Sequence, residues 1–200
     1  MPFPTTPILD DFNRPDEGPP PSASWTTPTD QNGVRVVSNR AQVQAGAGSE
    51  GFAAWTASTF GPDCEVYCDV AAATGVWAVK LMARAPSALD LIANRYFLNA
   101  TNAGLQILKT VDNAQTLLAS LVRSNVQGES FGLSVIGNTL SAYYKPIAGS
   151  WTLGVTATDS SFQDAGYIGL SADAGSPAKA SDNFGGGGPG AAADIIHVIN

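Results

Sequence analysis

Four glutamates, Glu17, Glu50, Glu65 and Glu129, are scattered over separate segments of the 200-residue chain. Hydrolysis of a glycosidic bond needs two carboxylates roughly 5 to 9.5 Å apart, one of them with a raised pKa. The nearest approach to such a pair is "CEVYCDV", where Glu65 and Asp69 would share the wet face of a strand about 13 Å apart. That spacing suits a solvated sheet face better than catalysis. Nucleophilic chemistry is equally poorly served, because the single histidine, His197, lies in an apolar tail remote from Cys64 and Cys68. The two cysteines are too far apart along a strand to bridge and read as small core residues. "GGGGPG", residues 185–190, lacks the Lys-Ser/Thr of a phosphate loop and reads as a flexible linker. The residues predict a chain that is not an enzyme.

Binding chemistry has better material. Sugar rings stack on aromatic side chains flanked by amides and carboxylates, and the aromatic candidates are Trp77, Tyr96, Tyr143, Tyr144 and Trp151. Tyr143 and Tyr144 are neighbours, so on one strand they must face opposite sides. A second constellation joins the ends of the sequence: "LDDFNRP" and "ASDNFGG" repeat an acidic-polar doublet before Phe12 and Phe184. The repetition predicts that the two ends meet as adjacent strands.

The elements that must position these groups are strands. Helical periodicity is absent, whereas period-two alternation recurs between clusters of Gly, Asn, Asp and Pro. In "CEVYCDVA", Cys64, Val66, Cys68 and Val70 point one way and Glu65, Tyr67 and Asp69 the other. A dozen such stretches fit a two-sheet sandwich with meander connections. Gly137-Asn138 suits a two-residue hairpin, and "LNATNAGLQ" and "TVDNAQTL" look like two further reversals. With 44% hydrophobic residues the chain can bury a large core. One domain is expected over residues 1–184, with Pro-rich irregular segments at 1–7 and 15–24 and a linker and apolar tail at 185–200. Only 14% of residues are charged and the net charge is -7. Ten scattered Lys and Arg argue against nucleic acid as partner, and no apolar run approaches the length of a membrane helix or a signal peptide.

Taken together, "DDFNRPD", Trp25, "VRVVSNRAQV", "GFAAWTASTFGPDCEVYCDV", "GLSVIGNTLSAYY" and "TDSSFQDAGYIGLSADAGSPAKASDNFGGG" resemble the concanavalin A-like jelly rolls. More narrowly, they are similar to laminin-G-like modules of bacterial surface proteins and bacteriophage virion proteins. The resemblance runs from about Leu9 to Gly187. It implies an all-β, two-sheet antiparallel jelly-roll sandwich with adjacent N- and C-terminal strands. It also implies a site for structural calcium where those strands meet, with Asp10, Asp11 and Asp182 as part of its shell; capping of nearby backbone NH groups is the other use of these side chains. The Glu-x-Asp-x-x-Glu signature of family-16 glucanases is missing. The function so implied is a non-catalytic virion component, for decoration, head-fibre or tail attachment. Its apolar tail Ile195, Ile196, His197, Val198 and Ile199 would dock on other protein subunits, of a particle or of a homo-oligomer. The alternative is a stand-alone carbohydrate-binding module with glycans as partners, and a glycoside hydrolase ranks third. Localisation is expected in the virion, or else in the cytoplasm or outside the cell by a non-classical route.

Overall fold

The structure is a computed structural model and describes residues 2–29, 31–44, 50–73, 75–173 and 179–190. Fifteen strands follow one another: β1 (Ile8–Asp10), β2 (Trp25–Thr26), β3 (Asn32–Val36), β4 (Ala41–Val43), β5 (Glu50–Trp55), β6 (Cys64–Ala72), β7 (Ala78–Ala85) and β8 (Arg95–Thr101). The rest are β9 (Gly104–Val111), β10 (Ala114–Val122), β11 (Ser130–Ile136), β12 (Thr139–Lys145), β13 (Thr152–Thr158), β14 (Tyr167–Asp173) and β15 (Ala180–Gly187). No helix occurs among the described residues, so none there is long and apolar enough to cross a membrane.

Two sheets form the sandwich. Sheet A runs β13-β12-β11-β6-β15, with β1 and β4 both paired to β15. Sheet B runs β10-β9-β8-β7-β14-β5, with β2 added on β5. The sheets are joined at one edge by β3, which pairs antiparallel with β4 and parallel with β5. The apolar face of β6 builds the core as the sequence predicts, but its other face is not wet, since the N-terminal segment buries Glu65 and Tyr67 there. Cys64, Val66, Cys68 and Val70 of β6 face Leu81, Tyr96, Leu98 and Ile107 of sheet B in one cluster that also holds Phe12 and Phe184. Cys64 and Cys68 are free thiols, and burial pushes the Cys64 pKa up to about 12 and the Cys68 pKa higher still. Both are inert core residues.

The turns follow their chemistry. Ile136 and Thr139 close around Gly137-Asn138, with Gly137 at φ 54°. Asp112 (φ 48°) and Asn113 (φ 66°) form the tight reversal between β9 and β10, where short polar side chains tolerate left-handed backbone.

Two expectations need correction. The meander order holds for β7 to β10 and for β11 to β13, but elsewhere the chain crosses between sheets, because each hairpin must bury its apolar face against the opposite layer. The segment from Gly185 is also no linker at its start: β15 continues through Gly187. Glycine is required there by close approach, since a Cβ on Gly185 would lie 2.1 Å from the Tyr67 ring and one on Gly186 2.4 Å from the Glu65 carbonyl.

Candidate functional site at the seam of the termini

The two ends do meet. β1 pairs antiparallel with β15, with Ile8 opposite Gly185 and Asp10 opposite Phe184. Beneath this seam Trp25 packs on Phe12 (ring centroids 6.0 Å), on Phe184 (4.7 Å) and on Trp55 (5.3 Å). The resemblance between the two acidic doublets is one of composition rather than geometry. Asp10 Oδ1 accepts from the amide of Phe12 at 2.8 Å, two residues on, whereas Asp182 Oδ1 accepts from the next residue, Asn183, at 2.9 Å. The backbone is left-handed at both ends, Phe12 at φ 51° and Asn183 at φ 49°; asparagine tolerates this, phenylalanine does not. A bulky aromatic held left-handed costs about 1–3 kcal/mol and persists only where its surroundings dictate it.

The three acids expected at a calcium site do not converge on one. Asp10 is buried, and its carboxylate accepts from Arg14 Nη1 (2.6 Å), Arg14 Nη2 (2.9 Å) and Trp25 Nε1 (2.7 Å). The Arg14 guanidinium occupies the cation position, and its hydrogen bond to Asp10 lifts its pKa. Asp11 turns outward and accepts from the Asn13 amide, which lowers its pKa. Burial and then the nearby Asp69 raise the pKa of Asp182. Among the described residues no group of three or more His, Cys, Asp or Glu is arranged to hold a metal ion. The side chains fit capping, and they do not fit calcium.

Over the seam lies an open cleft of about 700 Å³. Its apolar lining is Ile8, Leu9 and Trp55, and its polar lining includes Asp11, Asn13, Arg14, Glu17, Ser22, Ser24 and Asn183. Arg14 is braced by Glu17 as well as Asp10 and reaches the Pro21 carbonyl at 3.0 Å, which ties the Pro-rich segment to the rim. The Trp55 Nε1 donor is buried without a partner. Donors, acceptors and an indole around one open depression can bind a polyhydroxylated ring.

The expected aromatic contacts are dispersed. Trp77 (5% exposed) and Tyr96 (0%) are core residues, so neither offers a face to a ligand. Trp77 packs beside Phe131, and the Tyr96 hydroxyl donates to Asp159 Oδ1 at 2.7 Å while accepting from the Phe162 amide. Tyr144 leans on the core under the Arg123 guanidinium, 4.0 Å from its centroid. Tyr143 and Trp151 are together on the outer face of sheet A, but the chain's own Phe3 stands between them. Phe3 stacks on Tyr143 at 4.1 Å and meets Trp151 edge-on at 4.9 Å. The N-terminal segment continues over Glu65, which accepts from the Thr5 amide (2.7 Å) and from the Thr5 and Thr6 hydroxyls. Asp69 accepts from Ser130 and from Asn183 Nδ2. Glu65 and Asp69 are thus committed to structure and form no exposed acid pair. The tail residues Ile195, Ile196, His197, Val198 and Ile199 lie outside the described residues.

Sequence reasoning placed Asp10 and Asp11 here but missed Arg14, Glu17, Ser22, Ser24, Trp55 and Asn183. A cation four residues after Asp10, in a stretch too rich in Pro and Asp to be a helix, was the available sign that the carboxylate has an internal partner.

No family model matches the sequence, and no curated protein matches it. Solved structures do resemble the fold. The carbohydrate-binding module CBM66 from Bacillus subtilis is 18% identical, with a TM-score of 0.60 over 80% of this chain and 91% of that one. The exoplasmic/lumenal domain of VIP36 in its Ca2+/Man-bound form is 13% identical, with a TM-score of 0.61 over 91% and 88%. The Bacillus licheniformis beta-glucanase is 12% identical, with a TM-score of 0.54 over 88% and 95%. The chain has the fold of the concanavalin A-like jelly-roll sandwiches.

Proposed function

We propose that the protein is a carbohydrate-binding, lectin-like module whose ligand lies in the cleft over the seam of the termini. The observation that carries this reading is the cleft itself: a depression of about 700 Å³ with carboxylate, amide, hydroxyl and guanidinium groups around an indole. Its size suits a short oligosaccharide. Strain at Phe12, beneath the seam, supports it, because residues held in sparse backbone regions concentrate at ligand sites. The names of the neighbours agree: one is called a carbohydrate-binding module and another is a mannose-bound domain. Burial of Glu65 under Thr5 and Thr6 favours binding over hydrolysis. The virion reading drew on the sequence resemblance and on the tail outside the described residues, and none of the three neighbours is a virion protein by name.

A glycan array followed by calorimetry on the positive glycans tests the proposal. Asn13→Ala and Ser24→Ala, both on the rim, should each weaken binding about 5- to 10-fold, the worth of one hydrogen bond of about 1 kcal/mol. An array without saturable binding, or full affinity in both variants, would refute it.

A further inference from the structure

The outer face of sheet B carries a feature that the seam does not explain. Arg95, at the start of β8, is 2% exposed and makes no ion pair among the described residues. Its guanidinium is fixed over the rings of Phe97 (4.8 Å) and Phe52 (5.6 Å), and among the described residues only Nη1 donates, to the Leu91 carbonyl at 2.9 Å. Neither nearby acid pairs with it directly: Glu50 bonds Lys80, and Glu50 and then Asp90 act on Arg95 only through space. A buried guanidinium without a carboxylate is costly, and burial pulls its pKa down to about 10, so it still carries its charge at neutral pH.

Arg95 forms one wall of a cavity of about 250 Å³ with Gln31, Glu50, Phe52, Ile92, Thr110, Asn113 and Gln115. The register places Arg95 opposite Thr110 and Thr110 opposite Gln115 across β8, β9 and β10. Of the seven buried side-chain atoms without partners among the described residues, Arg95 Nε and Thr110 Oγ1 belong to facing positions on the wall of this cavity. Buried polar groups are nearly always satisfied; two exceptions facing each other on one cavity wall mark a place built for an outside partner.

We propose that this cavity is a second binding site, selective for a small acidic sugar of the hexuronate class, with the carboxylate on Arg95 and the hydroxyls on Thr110, Asn113 and Gln115. A guanidinium fork matches a carboxylate in geometry as well as charge. Phe52 and Ile92 supply the apolar surface on which the C–H face of a pyranose rests. The volume limits the occupant to a monosaccharide or the terminal unit of a chain. The site is separate from the seam cleft and stands or falls without it.

The test is heteronuclear NMR titration of the whole protein with sodium glucuronate, glucose and sodium acetate. Glucuronate should shift the amides of Thr110, Asn113 and Gln115 saturably, at least 10-fold more tightly than glucose or acetate. Thr110→Val should weaken glucuronate binding about 5-fold without lowering Tm, because it removes a buried hydroxyl that has no partner; Gln115→Ala, on the exposed rim, should weaken it similarly. Arg95→Lys should abolish saturation, and should it fail to fold, the other two variants carry the test. Equal binding of acetate, no saturable shift with glucuronate, or undiminished affinity in Thr110→Val and Gln115→Ala would overturn the proposal. Loss of Asn13 or Ser24 should leave these shifts unchanged, which separates this site from the cleft.

Discussion

Asp10 shows how a residue's neighbours decide its chemistry. A carboxylate at the meeting point of two terminal strands has the oxygens that calcium uses, yet Arg14 and Trp25 already donate to them. Melting curves recorded with calcium and with chelator should therefore superimpose; a fall in Tm on chelation would show that a folded-state ion is held after all. Asp182 carries the opposite signature. Burial and the nearby Asp69 raise its pKa above the unfolded value of 3.8, so its contribution is fully present below that pH and is lost as pH rises through the folded pKa. Asp182→Asn keeps an acceptor for the Asn183 amide and removes the charge. It should raise Tm at pH 7, by an amount worth less than about 1 kcal/mol at this partly exposed position, and the gain should vanish below pH 3.8. A variant that lowers Tm at pH 7 would contradict that reading.

At the level of elements, loops are pinned by buried polar side chains rather than by their own sequence. Arg84, 3% exposed, donates to the carbonyls of Pro62, Phe162 and Gly137, and so ties three connections to β7. Tyr96 and Lys109 hold Asp159 from β8 and β9. Burial would raise the Asp159 pKa, but the hydrogen bonds from Lys109, Ser161 and Tyr96 outweigh it and the pKa falls. This lowered pKa stabilises the fold above the usual carboxylate pKa of 3.8, and the benefit is lost as pH falls through the folded value. Tyr96→Phe removes the hydroxyl donor to Asp159 and the acceptor of the Phe162 amide, and should cost about 1–3 kcal/mol in denaturant unfolding. A change below 0.5 kcal/mol, about the noise of a surface substitution, would mean that the loop holds itself.

For the molecule as a whole, what the sequence discloses is what alternation and turn chemistry encode locally. β6 and the reversals at Asp112-Asn113 and Gly137-Asn138 are legible because each is decided within a few residues. The parallel pairing of β3 with β5 is not, since nothing in "NGVRV" names a partner beyond the next hairpin. The site was half legible for the same reason. Asp10 and Asp11 stand out by type, but Trp55 and Ser24 reach the cleft only through the β2–β5 pairing, and Arg95 looks like an ordinary surface cation until Phe52 arrives from another strand. Aromatic type alone misleads, because a sandwich needs large rings in its interior, and Trp77 and Tyr96 serve there. The docking of Phe3 between Tyr143 and Trp151 adds a practical property. Trp25 and Trp77 are sealed in the core and Trp55 shows only 9% of its surface, within the cleft, so a collisional quencher in solution reaches Trp151 before the others. Its indole touches Phe3, and the intrinsic fluorescence of the unlabelled protein therefore gauges whether the opening residues of the chain are seated on the sheet or have lifted away from it.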